Sequence, residues 1–200
     1  RLIDIETHRA VFSWILERLS QAGLVNGKTV GVDATTLEAN AALRSIVRRD
    51  TGESYEAFLI GLAKASGIET PTREDLARLD RKRPKKGSND DWTHPHDPDA
   101  RITKMKDGRT HLAHKAEHAV DLKTGAVIAV TIQPADKGDT ETIKETLITA
   151  AENLEKIKPQ TDGVREVVAD KGYHSNELLK DLRVLGIRTY ISEPVRGPRR

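Results

Sequence analysis

The apolar positions of the chain change period several times, and each change marks an element. Val11, Phe12, Ile15, Leu16, Leu19 and Ala22 recur at helical spacing, with Thr7 suited to cap the helix and Gly23 to stop it. Lys28 to Asp33 then reads as a short buried strand, Thr29-Val30-Gly31-Val32, with Asp33 at its end. From His111 to Asp121 and from Ala126 to Thr131 two strand-like runs flank Leu122-Lys123-Thr124-Gly125, a spacing that suits a β-hairpin. Asp139 is placed to cap a helix whose face carries Ile143, Leu147, Ile148, Ala151 and Leu154. Arg165 to Ala169 forms another buried strand that ends at Asp170. Ser175 caps a helix through Leu178, Leu179, Leu182 and Leu185, closed by Gly186, and Arg188 to Ile191 is the last strand. Strands separated by helices predict an α/β fold, a mixed sheet covered by helices.

Between about Ala41 and Gly108 the pattern breaks down. One amphipathic helix is predicted from Ser54 to Ala65, with Tyr55, Phe58, Leu59, Leu62 and Ala63 on one side, and Pro71 suits the first turn of a second. The polar stretch Asn89 to Asp99 neither alternates nor repeats at helical period. The whole span is read as a long insertion, partly helical and partly disordered. Residues 1–27 are thus a helical segment ahead of a core at 28–200, which is interrupted at about 41–108.

Composition adds constraints rather than an answer. Apolar residues make up 36% of the 200 and aromatics 4%, a lean core that fits a chain with much solvated loop. Charged residues reach 32% but the net charge is only +2, so the overall balance does not declare a nucleic-acid binder. The basic charge is clustered instead, in Arg81-Lys82-Arg83-Pro84-Lys85-Lys86 and in Arg196, Arg199 and Arg200. The absence of cysteine excludes disulfides, thiol catalysis and cysteine-ligated zinc, and fits a reducing compartment. No apolar run is long enough to span a membrane and no signal peptide is visible. The start at Arg1 and the end at Arg200 read as cuts within a longer protein.

Two aspartates occupy equivalent places. Asp33 and Asp170 each follow a small or β-branched apolar run and precede turn-prone residues. Strand ends at a topological switch are where ligands bind in open sheets. Two carboxylates brought together there repel unless a cation lies between them, and a hard ion such as Mg²⁺ takes oxygen ligands. The alternative is that each Asp caps the turn after its strand. Lys171, Tyr173 and His174 follow the second strand directly, placed to approach a phosphate or stack on a base, or simply to form a strand-to-helix turn. His114-Lys115-Ala116-Glu117-His118 matches a zinc-protease pattern that requires a helix. On a strand its histidines would stand about 13 Å apart, too far for one zinc. His94 and His96, in the polar stretch, are read as solvated.

Four segments resemble successive signatures of bacterial insertion-sequence DDE transposases. They are Val32-Asp33-Ala34-Thr35-Thr36-Leu37-Glu38-Ala39-Asn40, Asp97-Pro98-Asp99-Ala100-Arg101-Ile102, Ala119-Val120-Asp121-Leu122-Lys123-Thr124-Gly125-Ala126-Val127 and Val167-Val168-Ala169-Asp170-Lys171-Gly172-Tyr173-His174-Ser175. The likeness runs in order from about Val30 to Arg200, and the last segment is its most specific part.

The resemblance implies an RNase H-like fold, in which the first strand and the strand after the first crossover helix lie side by side. It implies that Asp33 and Asp170 are catalytic metal ligands for Mg²⁺ (or Mn²⁺), and that DNA is cut and rejoined. The expected partners are insertion-sequence ends and target DNA, engaged by a homodimer in the bacterial cytoplasm, associated with the nucleoid. Lys82, Arg83, Lys85 and Lys86, with Lys171, Tyr173 and His174, are the expected nucleic-acid contacts. The family's third carboxylate is a glutamate on a later helix. Glu193 precedes Pro194, which disfavours helix, so this role is expected beyond Arg200 and the piece alone is expected to be inactive. The rival readings are a noncatalytic DNA-binding remnant, an RNase H-like nuclease that never joins strands and, more distantly, a zinc protease.

Overall fold

The computed structural model describes residues 3–83, 87–159 and 162–194. Two compact units emerge, one drawn from Arg1–Thr35, Ala116–Gln133 and Lys137–Arg200, the other from Thr36–Lys115 and Pro134–Asp136.

The first unit is built on a mixed sheet. Strands β1 (Thr29–Glu38), β5 (Thr110–Asp121) and β6 (Val127–Pro134) contribute to it together with β7 (Glu166–Ala169) and β8 (Arg188–Ile191). Their order is β6-β5-β1-β7-β8, with β7 parallel to both β1 and β8. The strand after the first crossover helix thus lies beside the first strand, and the fold is the RNase H-like α/β arrangement expected. Helices α1 (Ile5–Gln21), α4 (Asp139–Ile157) and α5 (Asn176–Val184) supply Leu16, Ile143, Leu147, Leu154, Leu178 and Leu182 to one core with Val30, Val32, Ile128 and Val167 of the strands.

Local chemistry explains the helix ends, with some departures from the pattern. Asp4, not Thr7, caps α1, its Oδ1 accepting the Thr7 N–H at 2.7 Å. Only Phe12, Leu16 and Leu19 of the apolar stripe pack inward, while Val11 and Ile15 are exposed. Asp139 is the first residue of α4 rather than its cap, a place taken by Gly138. The buried face of α4 includes Thr142 and Thr146, and Ile148 points outward, so the face lies one position away from the predicted one. Ser175 caps α5 as predicted, its Oγ accepting the Leu178 N–H at 3.1 Å. Leu185 falls just past the last turn and is exposed.

β1 does not stop at Asp33. The β-branched pair Thr35-Thr36 favours extended backbone, and Ala39 just beyond the strand donates its N–H to the Leu112 carbonyl at 2.8 Å.

The second unit shows more order over 41–108, among the described residues, than the partly helical and partly disordered insertion expected. Helix α2 (Tyr55–Ala65) matches the predicted span, with Ser54 as its cap rather than its first residue. Helix α3 (Arg73–Lys82) is opened by a Thr72–Asp75 capping box, which leaves Pro71 just before the cap rather than in the first turn. Strands β2 (Val47–Arg48) and β3 (Trp92–Thr93) pair antiparallel, and β4 (Arg101–Lys104) pairs with the first residues of β5. Trp92 is the anchor. It is buried with Ile46, Ala100 and Leu112, and the rings of Tyr55 and Phe58 meet its ring edge-on at 5.0 and 5.3 Å. Asn89 ties the polar stretch down. Its Oδ1 accepts the Ile102 N–H at 2.7 Å, and its Nδ2 donates to the Ile102 carbonyl and to Asp136 Oδ2. His94, read as solvated, is buried, whereas His96 is exposed.

Candidate functional site

The parallel pairing of β1 with β7 puts Val32 opposite Ala169. The next residue along each segment is an aspartate, so Asp33 in β1 and Asp170 just past the end of β7 stand side by side, where neighbouring strands are spaced about 4.8 Å apart. Both side chains are exposed. One oxygen of each is already oriented by backbone. Asp33 Oδ1 accepts the Ala34 N–H at 2.9 Å, and Asp170 Oδ1 accepts the Gly172 N–H at 2.7 Å. Asp170 therefore also caps a short 3₁₀ turn, Lys171–Tyr173, so that the capping reading holds alongside adjacency.

Gly172 sits between carboxylates. A Cβ on it would lie 2.8 Å from Asp139 Oδ2 and 2.9 Å from Asp170 Oδ1, closer than packed atoms allow. The donor set of Asp33 and Asp170 is two hard carboxylates open to solvent. That chemistry fits a Mg²⁺ or Mn²⁺ ion whose remaining positions are taken by water and phosphate oxygen. Among the described residues no group of three or more His, Asp or Glu side chains is arranged to hold a metal by itself. The zinc-protease pattern finds no support: His114 and His118 lie on strand β5, and His114 Nε2 faces Asp97 Oδ2 at 3.1 Å.

Of the expected nucleic-acid contacts, Lys171 and Lys82 are exposed, at the 3₁₀ turn and at the last residue of α3. Tyr173 does not offer a ring to a base. It is only 1% exposed, and its hydroxyl donates to Glu117 Oε1 at 3.0 Å. Burial, then the nearby charges of Glu117, Asp139 and Asp33, hold its phenol above the usual tyrosine range. His174 is half-buried, with Nδ1 enclosed and without a hydrogen-bond partner among the described residues. Arg83 folds back onto its own unit. Its guanidinium lies 4.9 Å from the Phe58 ring centre and 3.2 Å from Asp80 Oδ1, so it braces α2 against α3. Lys85 and Lys86 lie outside the described residues.

Glu117 is the site neighbour that motif reading missed. It is fully buried on β5 and accepts hydrogen bonds from the hydroxyls of Thr142, Thr146 and Tyr173. Its signal was parity. In β5, Ala113, Lys115, Glu117, Ala119 and Asp121 share one face, and all five are buried. Asp121 has a structural task. Burial pushes its carboxyl up, but N–H bonds from Gly27, Asn26 and Lys123 outweigh this and hold it below the ordinary value.

Among solved structures, the chain is similar to a Mos1 transposase paired-end complex with the left transposon end, at 10% identity over 89% of this chain and with a TM-score of 0.38. A Mos1 mariner paired-end complex with Mn matches at 12% identity over 90% of this chain, TM-score 0.36. The chain spans 39% and 40% of those two chains. No curated protein matches the sequence. A family model described as the transposase DDE domain matches residues 72–196, well over half of the chain, and through it the protein belongs to the DDE-domain transposase family.

Proposed function

We propose that the protein acts in DNA transposition, cutting insertion-sequence ends and joining them to target DNA by metal-dependent phosphoryl transfer. The observation that carries this reading is the parallel register that makes Asp33 and Asp170 neighbours in a chain of this family. Each is exposed and has one carboxylate oxygen fixed by a backbone N–H. Opposed like charges at that distance favour a divalent cation between them. When bound, Mg²⁺ or Mn²⁺ supplies the charge that activates a water or 3′-hydroxyl and steadies the leaving oxygen. Lys171, exposed beside Asp170, is placed to meet a phosphate of the strand being cut. DNA ends and target are the proposed partners, held by a homodimer in the bacterial cytoplasm.

Asp33→Ala and Asp170→Ala should each abolish Mg²⁺-dependent nicking and strand transfer by the full-length protein while circular dichroism and Tm stay close to wild type. Full activity in either variant would remove that residue from the site. Nicking without joining would favour a nuclease, and DNA binding with no cleavage a noncatalytic remnant.

A further inference from the structure

The carboxylate of Asp170 rides on a three-residue turn that has little rigidity of its own. Inside the turn, beyond the Asp170 cap, the Tyr173 N–H meets the Asp170 carbonyl and the His174 N–H meets the Lys171 carbonyl, both at 3.2 Å. Runs this short and tightly wound are marginal alone. What anchors the turn is the buried ring and hydroxyl of Tyr173.

That hydroxyl meets Glu117, which is itself held from two further directions. Thr142 and Thr146 of α4 donate to its two oxygens, and Thr146 is bonded in turn to Thr131 of β6 at 2.6 Å. Strands β5 and β6 and helix α4 thus converge on one buried carboxylate that the proposed chemistry does not touch. A phenylalanine at 173 would fill the same space without burying a hydroxyl, which costs free energy to desolvate. The hydroxyl adds direction, since a hydrogen bond fixes the rotation of the turn where packing alone does not.

We propose that the Tyr173–Glu117 hydrogen bond is a positioning device, which locks the 3₁₀ turn so that Asp170 faces Asp33 in the geometry a shared divalent ion requires. Tyr173 is a positioning residue and acts only through Asp170. The turn passes close to both carboxylates, since a Cβ at Gly172 would lie within 3 Å of Asp139 Oδ2 and Asp170 Oδ1. This inference rests on the metal reading of Asp33 and Asp170.

The test is Mn²⁺ binding followed by electron paramagnetic resonance on the chain and on Tyr173→Phe, Asp170→Asn and the double variant. Tyr173→Phe should weaken Mn²⁺ about tenfold, as loss of a residue that orients a ligand does. The double variant should bind no more weakly than Asp170→Asn alone, because the two act through one carboxylate. A merely structural tyrosine would lower Tm in both backgrounds without that coupling. Wild-type affinity in Tyr173→Phe, or effects that simply add, would overturn the proposal. If Asp170→Asn itself binds like wild type, the metal reading is what fails. Hydrogen exchange at the Gly172 N–H then decides the positioning claim: faster exchange in Tyr173→Phe upholds it, and unchanged exchange overturns it.

Discussion

A methyl group on Gly172 would meet Asp139 Oδ2 at 2.8 Å and Asp170 Oδ1 at 2.9 Å, so this position is glycine for reasons of space rather than of backbone angle. Gly172→Ala should displace the Asp170 carboxylate and weaken Mn²⁺ binding about tenfold while Tm changes little. Unaltered affinity in a titration would show that the carboxylates can yield. Tyr55 makes a second residue-level case. Its hydroxyl donates to Asp80 Oδ1 at 2.7 Å, and burial, then the Asp80 bond and charge, push its phenol up to about 12. The folded state therefore favours neutral tyrosine. Stability from this contact is fully present below the unfolded value of about 10 and is lost as pH rises through about 12. Tyr55→Phe should remove that part of the alkaline dependence, measured by denaturant unfolding across the same window. A wild-type pH profile in the variant would show that Tyr55 does not titrate in this way.

At the scale of elements, what could be read from the sequence was what is local. The first half of β1 and the whole of β7 announce themselves as apolar runs followed by aspartate, α2 by its helical period and α5 by a serine at the cap position, because period and cap need only near neighbours. Beyond α2, the order within 41–108 was not legible. It depends on Trp92 meeting Tyr55 and Phe58, and on Asn89 bridging to Ile102 and Asp136, contacts that no short window contains. The equivalent placement of Asp33 and Asp170 was legible from their strand ends and their adjacency from the family resemblance, but the inward burial of Tyr173 was not, since its partner Glu117 is 56 residues away in sequence. Capping separates stability from chemistry here. Ser175→Ala should cost about 1 kcal/mol by loss of the α5 cap and leave Mn²⁺ affinity unchanged. A matching loss of affinity would mean that the Asp170 turn depends on α5. Thr72→Ala, which breaks the α3 capping box, should cost a similar amount, about 1 kcal/mol, read from the shift in urea midpoint.

For the molecule as a whole, a net charge of +2 gives only a weak general attraction to DNA, so affinity must come from placed lysines. Binding to duplex DNA, followed by fluorescence anisotropy, should fall steeply with salt. Lys82→Ala and Lys171→Ala should each reduce the log–log slope by about one. Salt-independent binding would count against phosphate contacts. No helix among the described residues is long and apolar enough to cross a membrane. More specific than DNA binding is the proposal that Asp33 and Asp170, at adjacent parallel strands, share one divalent ion. A Mn²⁺ titration of the wild-type chain beside Asp33→Asn and Asp170→Asn tests it most directly. Either substitution alone should remove most of the affinity, because each takes away one of the two facing carboxylates; a variant with wild-type Mn²⁺ affinity would rule out the shared ion.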